Sequence, residues 1–495
     1  MRGTYIALSH VWGAQIHNKL EMKLLEKWRE GIDVRLLPRS FRDAITVTRK
    51  LGFRYIWIDA LCIVQDSPQD WQRESSKMGN VFKNAFLTIA VSATAQSPDG
   101  FLTRKPRYDS SCKLELLSNS GTSCGHVLVK PQASPKGKID SRAWCLQENV
   151  LSTRVLTFAS EECFFECRKK YRVSESGVYS FQDSRYLSTG GDLIQALSRA
   201  PNEFQNSECL DKSGRERICQ QIARLWYAMI GDSDDHITRS GYGNRDLTHT
   251  SDKLPALSGL AHEIHRIIQC RYLAGIWECY LVEGLLWRRV LRRVHSGLSA
   301  SGPSIPQKLG DPDAPSWSWA TCNGPLQYPS HFLATQSTDV INIIDSGTTP
   351  AGSDPMGRVS SGWITLNGPI SEIRCIRGGD NSSYQVTSPR SQDLSHEAKE
   401  TRTAIENILA HLGVAPPPED HIAGAIFDDD DRFSSSVTCL LFCMPTTNCW
   451  AYGLMLQSTG RDGEYRRVGF WQATEARPDL SSLWAGLNRR TITLI

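Results

Sequence analysis

Short apolar runs alternate with helix-like stretches over the first 168 residues, and this alternation constrains the fold more than any other feature of the chain. Each run ends in polar residues or a turn, as a buried strand does. The run at residues 86–91 is nearly continuous and β-rich, which is typical of a parallel strand covered on both faces. The pattern predicts an α/β fold, with a layered parallel-type sheet and flanking helices. The predicted strands cover residues 5–9, 55–59, 86–91, 154–158 and 163–167.

Two helices are predicted between the first three strands. Ser40 is a favoured N-cap residue, Asp43 follows three positions later, and Gly52 supplies a C-terminal stop, so the first helix is predicted over residues 40–52. The second helix is predicted to begin at Asp70, with Asp70 as its cap. Its inward-facing stripe at helical spacing consists of Trp71, Ser75, Met78, Phe82 and Ala85.

Changes in pattern along the chain predict three domains. Residues 1–168 form the α/β domain, and residues 169–330 form a mostly helical region with a Pro/Ser-rich connector at 297–315. Residues 331–495 form a β-rich C-terminal region.

Two elements of these later regions can be predicted individually. Apolar residues recur at helical spacing from Leu254 towards Leu291, and they predict a helix over residues 254–274. Residues 452–457 and 465–473 flank a glycine-containing turn and predict a hairpin.

Charge and hydropathy argue against two broad classes of protein. The formal net charge of +3 is too small for the strongly basic surface that nucleic-acid binding needs. No apolar run approaches the ~20 residues of a membrane span. The first four residues lead directly into the first strand, without the apolar segment of a signal peptide.

The cysteines and histidines predict reduced thiols rather than a metal site. The chain has 15 cysteines, none in Cys-x-x-Cys spacing, and Cys62, Cys145 and Cys439 lie inside apolar runs. We therefore expect buried, reduced cysteines and a cytoplasmic location. His262 and His265 lie three positions apart and lack His-Glu-x-x-His spacing, so no zinc site is expected there.

Polar residues directly follow the first predicted strand. Ser9 and His10 end the run, and Trp12-Gly13 continues into a turn. Ligands of open α/β sheets bind beyond the carboxyl ends of strands, so Ser9, His10 and Trp12 are candidate ligand-binding residues. Ser9 and His10 are sequence neighbours without an identifiable acid partner, which disfavours a hydrolytic triad. In the alternative, Trp12-Gly13 fixes a packed turn that His10 caps.

Carboxylates also follow the second predicted strand. Asp59 ends that strand, and Gln65 and Asp66 follow after a further apolar segment. All three are candidate ligand-binding residues, because such groups bind ribose hydroxyls or form acid/base pairs. Capping of the following helix explains the carboxylates equally well. Glu74, beside the stripe of the second helix, is a secondary catalytic candidate, with a salt-bridged flank as the alternative.

Three blocks of sequence follow one another in a distinctive order. They are Tyr-Ile-Ala-Leu-Ser-His-Val-Trp-Gly at residues 5–13, Tyr-Ile-Trp-Ile-Asp-Ala-Leu-Cys-Ile-Val-Gln-Asp at 55–66, and Ser-Arg-Ala-Trp-Cys-Leu-Gln-Glu at 141–148. Together they resemble the signature blocks of the HET domain, the heterokaryon incompatibility module of filamentous fungi. The stretch Pro-Ser-Trp-Ser-Trp-Ala at 315–320 is similar to a block found downstream in HET proteins.

The third block carries the sharpest chemical expectation. Residues 144–148 are similar to the Trp-Cys-x-x-Glu stretch of TIR domains, distant relatives of the HET domain, which implies a TIR-like sheet. The resemblance places Glu148 at the glutamate that cleaves NAD in enzymatic TIR domains, with Arg142 and Trp144 beside it as candidate binding residues. A carboxylate suits this reaction because it stabilises an oxocarbenium-like transition state. Asn149 departs from the usual leucine. In the alternative, Trp144 is a core residue and Arg142 pairs structurally with Glu148.

The HET resemblance implies a fungal protein of non-self recognition that triggers growth arrest or programmed cell death when incompatible cells fuse. One alternative is an NAD glycohydrolase that uses Glu148, for which NAD is a substrate and no cofactor is expected. A second is a non-catalytic scaffold that signals by HET–HET assembly, and a third is an inactive copy. The implied partners are a second copy of the chain or another incompatibility protein.

Overall fold

The computed structural model divides the chain into two compact units, Met1–Leu187 and Ser188–Ile495. Helices and several sheets are present, so the mixed α/β class is confirmed. The structure describes residues 3–12, 19–93, 100–103, 112–129, 137–160, 162–168, 171–175, 177–180, 189–205, 212–231, 241–290, 310–329, 337–339, 341–377, 384–387, 421–427, 436–445, 451–473 and 489–495. Gly13 and most of the predicted connector at 297–315 lie outside the described residues.

The first unit combines a seven-stranded sheet with a separate two-stranded hairpin and short helices. In chain order its elements are β1 (Tyr5–Ser9), α1 (Leu25–Glu30), α2 (Arg39–Lys50), β2 (Tyr55–Trp57), α3 (Asp59–Cys62), α4 (Pro68–Ser75), α5 (Met78–Asn84), β3 (Leu87–Val91), β4 (Cys112–Leu117), β5 (Ser123–Val129), α6 (Ala143–Leu151), β6 (Arg154–Phe158), β7 (Cys163–Cys167), β8 (Tyr171–Ser174) and β9 (Gly177–Ser180). The strands predicted at residues 5–9, 154–158 and 163–167 are confirmed with those bounds.

Strand order places the ends of β1 and β3 side by side. The order is β2-β1-β3-β6-β7-β8-β9, and β2, β1, β3 and β6 run parallel while the later strands pair antiparallel. The chain moves from β1 to β2 on one side and then to β3 on the other side of β1. In parallel sheets such a reversal opens a crevice at the carboxyl ends of the strands, where ligands bind.

The parallel strands are packed on both faces, and alternate residues supply the two cores. Ile6 and Leu8 of β1 pack in one cluster with Phe41 of α2. Ala7, between them, packs in another cluster with Phe82 of α5. This alternation follows from the two-residue period of a strand. By the same period, the side chain of Ser9 at the end of β1 shares the face of Ala7.

The start of the first helix differs from the prediction. The prediction that Ser40 is its N-cap is wrong, because α2 begins at Arg39 with Pro38 in the cap position, and Ser40 is buried in the first turn. Proline fits this place because its ring fixes φ and it needs no amide partner. The predicted stop is confirmed: Gly52 follows the helix with a φ of +81°, which glycine adopts without strain.

The second predicted helix is also different. The prediction that Asp70 begins and caps it is wrong, because α4 begins at Pro68 and the Ser67 Oγ accepts a hydrogen bond from the Asp70 amide at 3.2 Å. The Asp70 carboxylate instead accepts from the Val64 amide at 2.8 Å, so it secures the preceding loop. The predicted stripe at residues 71–85 is divided between α4 and α5.

The second unit begins with helices and continues into a large sheet. In chain order its elements are α7 (Thr189–Gln205), α8 (Lys212–Ile230), α9 (Pro255–Ile268), β10 (Tyr272–Leu273), β11 (Ile276–Trp277), α10 (Leu281–Leu285), β12 (Arg288–Arg289), β13 (Leu326–Gln327), β14 (Ser337–Asp339), β15 (Asn342–Pro350), β16 (Val359–Arg377), β17 (Tyr384–Thr387), β18 (His421–Phe427), β19 (Ser436–Pro445), β20 (Ala451–Ser458), β21 (Glu464–Ala473) and β22 (Arg489–Leu494). Strands β14 to β22 form one sheet, in which β20 and β21 are the predicted hairpin.

The helix predicted over residues 254–274 is shorter than expected. Helix α9 ends at Ile268, and Gln269 adopts a left-handed φ of 51°. Strands β10 and β11 then form a hairpin around Ala274 and Gly275, whose φ values of 44° and 98° match a two-residue turn. Leu273 and Trp277, which fit the helical period of the sequence, are buried on these strands instead.

One expectation about cysteine burial is wrong. Cys145 is buried as predicted, but Cys62 at the end of α3 is exposed. The side chain of Cys439 lies outside the described residues.

Candidate functional site

The carboxyl end of β1 meets the inner face of α6. Ser9 is the last residue of β1 and pairs with Ala90 of β3. Helix α6 packs over that strand through Cys145, which shares a core cluster with Ala90. Glu148 lies three residues after Cys145, on the same side of the helix. The Ser9 hydroxyl therefore reaches the Glu148 carboxyl and hydrogen-bonds to it, with both residues buried.

Glu148 is an ionisable group in an apolar setting. Its residue is 5% exposed, and burial raises the pKa of its carboxyl to about 7. The negative charge of Asp59 acts in the same direction, whereas the Ser9 hydrogen bond and the positive charge of Arg142 act against it. At neutral pH the carboxyl is thus divided between its protonated and ionised forms. Such a group can both accept and donate a proton, as acid–base catalysis requires.

Asp59 is held close to this pair by two hydrogen bonds. Strand β2 ends at Trp57, and Asp59 opens α3 rather than ending the strand as predicted. Its Oδ2 accepts from Trp12 Nε1 at 2.6 Å, and its Oδ1 accepts from the Ala60 amide at 2.7 Å. Trp12 and Asp59, which come from the first two sequence blocks, are therefore joined directly.

His10 completes the cluster from the other side of Asp59. Its Nδ1 lies 3.9 Å from Asp59 Oδ1, and its ring meets Phe41 edge-on at a centroid distance of 5.0 Å. Burial lowers the pKa of the imidazole, and the charge of Arg142 adds to this while Asp59 opposes it. Among the described residues, His10 Nε2 is buried and has no hydrogen-bond partner. A neutral imidazole with one nitrogen unsatisfied can bind a polar ligand.

The other candidate ligand-binding residues contact backbone groups, other aromatic rings or a helix end. Gln65 Nε2 donates to the carbonyls of Asp59 at 3.2 Å and Ile63 at 2.9 Å, so it secures the turn at α3. Asp66 Oδ1 accepts from the Met22 amide at 2.8 Å. The ring of Trp144 meets Trp71 edge-on at 6.3 Å. Trp144 also packs against the core cluster of Ala7 and Phe82. Arg142 is the N-cap residue of α6.

Glu74, the secondary catalytic candidate, lies in a set of ion pairs on the surface of α4. Its carboxylate is 2.9 Å from Lys77 Nζ and 3.0 Å from Arg73 Nε. Burial acts to raise the pKa of Glu74, but the hydrogen bonds and charges of Lys77 and Arg73 outweigh it and the pKa is lowered. This is the opposite of the environment of Glu148.

Three polar residues near the site were missed by sequence reasoning. Ser92 directly follows β3, is buried, and its Oγ has no hydrogen-bond partner among the described residues. Its place after an apolar run is the same signal that identified Ser9. Ser152 Oγ donates to the Glu148 carbonyl at 2.6 Å and lies 2.6 Å from Thr88 Oγ1. This link ties the end of α6 to β3 and fixes the position of Glu148.

Metal-binding and membrane-spanning features are both absent from the part of the chain that the structure describes. No group of three potential metal ligands occurs there. His262 Nε2 instead lies 2.8 Å from Asp354 Oδ1. No helix in the described ranges has the length and apolar character to cross a membrane.

Comparison with known proteins identifies the N-terminal part of the chain. Residues 5–148 match the family model described as Heterokaryon incompatibility protein (HET). No curated protein and no solved structure matches the chain. The matched segment begins with β1 and ends at Glu148, so it contains Ser9, His10, Trp12 and Asp59. The HET family that residues 5–148 match implies a role in heterokaryon incompatibility.

Proposed function

We propose that this chain is a cytoplasmic effector of fungal non-self recognition, which triggers growth arrest or cell death by hydrolysing NAD with Glu148. The observation that carries the proposal is the buried Glu148 carboxyl, with its pKa raised to about 7 and its hydrogen bond to Ser9. It lies at the carboxyl edge of parallel strands, next to the point where strand order reverses. The likeness of residues 144–148 to the TIR stretch supports the same assignment.

The proposed reaction breaks the bond between the nicotinamide nitrogen and C1′ of the ribose. The bonding electron pair passes to the nicotinamide nitrogen, and the ionised Glu148 stabilises the positive charge that develops on the ribose. Water then adds to C1′, and its proton passes to Glu148 and on to solvent. The products are nicotinamide, ADP-ribose and a proton.

Neighbouring groups have defined parts in this proposal. Ser9 orients the Glu148 carboxyl through its hydrogen bond. Asp59, fixed by Trp12, accepts hydrogen bonds from ribose hydroxyls. His10 binds a polar substrate group through Nε2, the buried ring atom that has no partner among the described residues.

The experiment is induced expression in a filamentous fungal host, with total NAD and viability followed over time. Wild type is compared with Glu148→Gln and with Glu26→Gln, a matched control at an exposed glutamate of α1 whose carboxylate pairs with Arg29 on the same helix. We expect NAD to fall before viability in wild type and in the control, and neither to fall in Glu148→Gln. Cell death with steady NAD in the wild type would reject the enzymatic proposal.

A second candidate function, signalling by HET–HET assembly, is favoured by the surface of one hairpin. Strands β4 and β5 pair only with each other in the described sheets, and they expose Leu114, Leu116, Leu117 and Val127 to between 44% and 61%. Leu114 and Val127 lie opposite each other in the register. Grouped exposed apolar side chains of this kind mark interaction surfaces.

The assembly candidate predicts a different pattern of variants. Leu114→Asp with Leu116→Asp would abolish both self-association, measured by sedimentation, and cell death, whereas Glu148→Gln would abolish neither. A chain that remains monomeric at cellular concentration and still kills would reject it.

A further inference from the structure

Hairpin β10–β11 is fixed at its tip in the core of the second unit. The Ser318 hydroxyl donates to the Ala274 carbonyl at 2.6 Å. The Gly275 carbonyl accepts from the indole nitrogens of Trp226 and Trp319, each at 3.0 Å. These bonds hold the turn and therefore set the position of both strands that leave it.

The register of the hairpin brings two cysteines together at its open end. Tyr272 pairs with Trp277, and the Glu278 amide donates to the Arg271 carbonyl at 3.0 Å. Cys270 directly precedes Arg271, and Cys279 directly follows Glu278 in the 3₁₀ turn Glu278–Tyr280. The two cysteines therefore flank the last backbone hydrogen bond of the hairpin.

A direct contact places Cys279 against the Cys270 sulfur. The Cys279 amide donates to Cys270 Sγ at 2.8 Å, and a hydrogen bond also joins the two side chains. Cys279 is exposed and Cys270 is half-buried, so both can be reached from solvent. Two free thiols in contact at a fixed, accessible position form a dithiol.

The two thiols are not chemically equivalent. The hydrogen bond from Cys279 lowers the pKa of Cys270, although burial opposes this. The same hydrogen bond raises the pKa of Cys279, and burial adds to the effect. Cys270 is therefore the better source of thiolate, which is the nucleophilic form, and Cys279 retains its proton. Cys219 of α8 is a third thiol whose charge acts on Cys279.

We propose that Cys270 and Cys279 are an oxidative modification site that a small-molecule disulfide, such as oxidised glutathione, converts into an intramolecular disulfide. The Cys270 thiolate attacks one sulfur of the small disulfide, which breaks its S–S bond and releases one thiol. Cys279 then loses its proton and attacks Cys270 Sγ in the mixed disulfide, releasing the second thiol. Two protein thiols are oxidised, and one small disulfide is reduced to two thiols.

The bridge would tie together elements that the hairpin now joins only by weaker contacts. Cys270 follows α9, and its carbonyl lies 2.9 Å from His265 Nδ1. Cys279 leads into α10. Between them, Arg271 Nη1 donates to the Ser346 carbonyl of β15 at 3.0 Å. Oxidation therefore restrains the junction of α9, α10 and β15.

The test treats the purified full-length reduced protein with oxidised glutathione and maps the products by non-reducing peptide mass spectrometry. We expect wild type and Cys219→Ser to give a Cys270–Cys279 linked peptide, lighter by two hydrogen atoms, and a higher thermal midpoint that dithiothreitol reverses. In Cys279→Ser, glutathione remains attached to Cys270 because no resolving thiol is present. In Cys270→Ser, the linked peptide is absent.

Other products would overturn the proposal. Three outcomes for the wild type would show that the two cysteines do not act as such a dithiol. They are glutathione that stays attached to Cys270, a disulfide that involves Cys219, and no reaction. Circular dichroism of each reduced variant checks that it folds. If a variant does not fold, the products of the wild type alone decide between these outcomes.

Discussion

Replacing Glu148 with glutamine should change how the stability of the first unit depends on pH. Burial raises the pKa of Glu148 from an ordinary 4.5 to about 7, so the folded protein keeps this proton between those values while the unfolded chain has lost it. The stability that this proton contributes is fully present below pH 4.5 and is lost as pH rises to about 7. Each pKa unit corresponds to about 1.36 kcal/mol, so the shift amounts to about 3 kcal/mol.

The assay is urea unfolding of the full chain at several pH values. Hydrogen exchange of peptides from α6 is the readout, so that the free energy of unfolding refers to the first unit. The wild-type free energy of unfolding minus that of Glu148→Gln should fall by about 3 kcal/mol between acid and neutral pH, because glutamine does not titrate. Glu74→Gln is the matched control. Its lowered pKa contributes stability that is present above about pH 4.5 and lost below it, so the corresponding difference should not fall as pH rises. A Glu148 difference that is flat or rises with pH would refute the reasoning.

Three further substitutions test individual contacts. Trp12→Phe removes the hydrogen-bond donor to Asp59 and should destabilise the first unit by about 1–3 kcal/mol in urea unfolding. An unchanged unfolding midpoint would show that this hydrogen bond does not stabilise the unit. Gly137→Ala would place a Cβ 2.2 Å from the carbonyl and hydroxyl oxygens of Ser92, so we expect a loss of about 1–3 kcal/mol; a neutral result would mean that the loop moves freely. Lys253 is buried, and burial lowers its pKa to about 8. The free energy of unfolding of wild type minus that of Lys253→Met should therefore rise between pH 8 and 10.5. A fall over that range would contradict the burial of Lys253.

The first unit could be predicted well where local pattern and tertiary packing agree. The run at residues 5–9 is strongly apolar, and β1 occupies those residues inside the sheet, between β2 and β3. Gly52 ends α2 because its left-handed φ suits glycine, a property of the residue itself.

Predictions were wrong where several local solutions compete. Ser40 and Asp70 are both good cap residues, yet Pro38 and Ser67 occupy the cap positions. Capping preferences differ by only ~1 kcal/mol, so packing decides which residue takes the position. The apolar pattern that continues at helical spacing to Trp277 is misleading for another reason, because Trp277 lies on a strand. Short apolar runs are buried in strands as well as in helices, so spacing alone does not distinguish the two.

The candidate site could be predicted in composition but not in geometry. The strand-end rule identified Ser9 and Asp59, and the TIR likeness identified Glu148. Their approach depends on the pairing of β1 with β2 and β3 and on the packing of α6, which involve residues far apart in the sequence. Burial of Glu148, and with it the raised pKa, is a product of that packing.

The most direct test of the central claim is NAD hydrolysis by the purified full-length protein, measured as nicotinamide released over time. We expect wild type and Glu26→Gln to release nicotinamide at the same rate, and Glu148→Gln to release it at least ~100-fold more slowly, as expected for loss of an acid–base group. Equal rates for Glu148→Gln and wild type, or no release by a wild-type protein that kills its host, would contradict the assignment of Glu148 as the catalytic carboxyl.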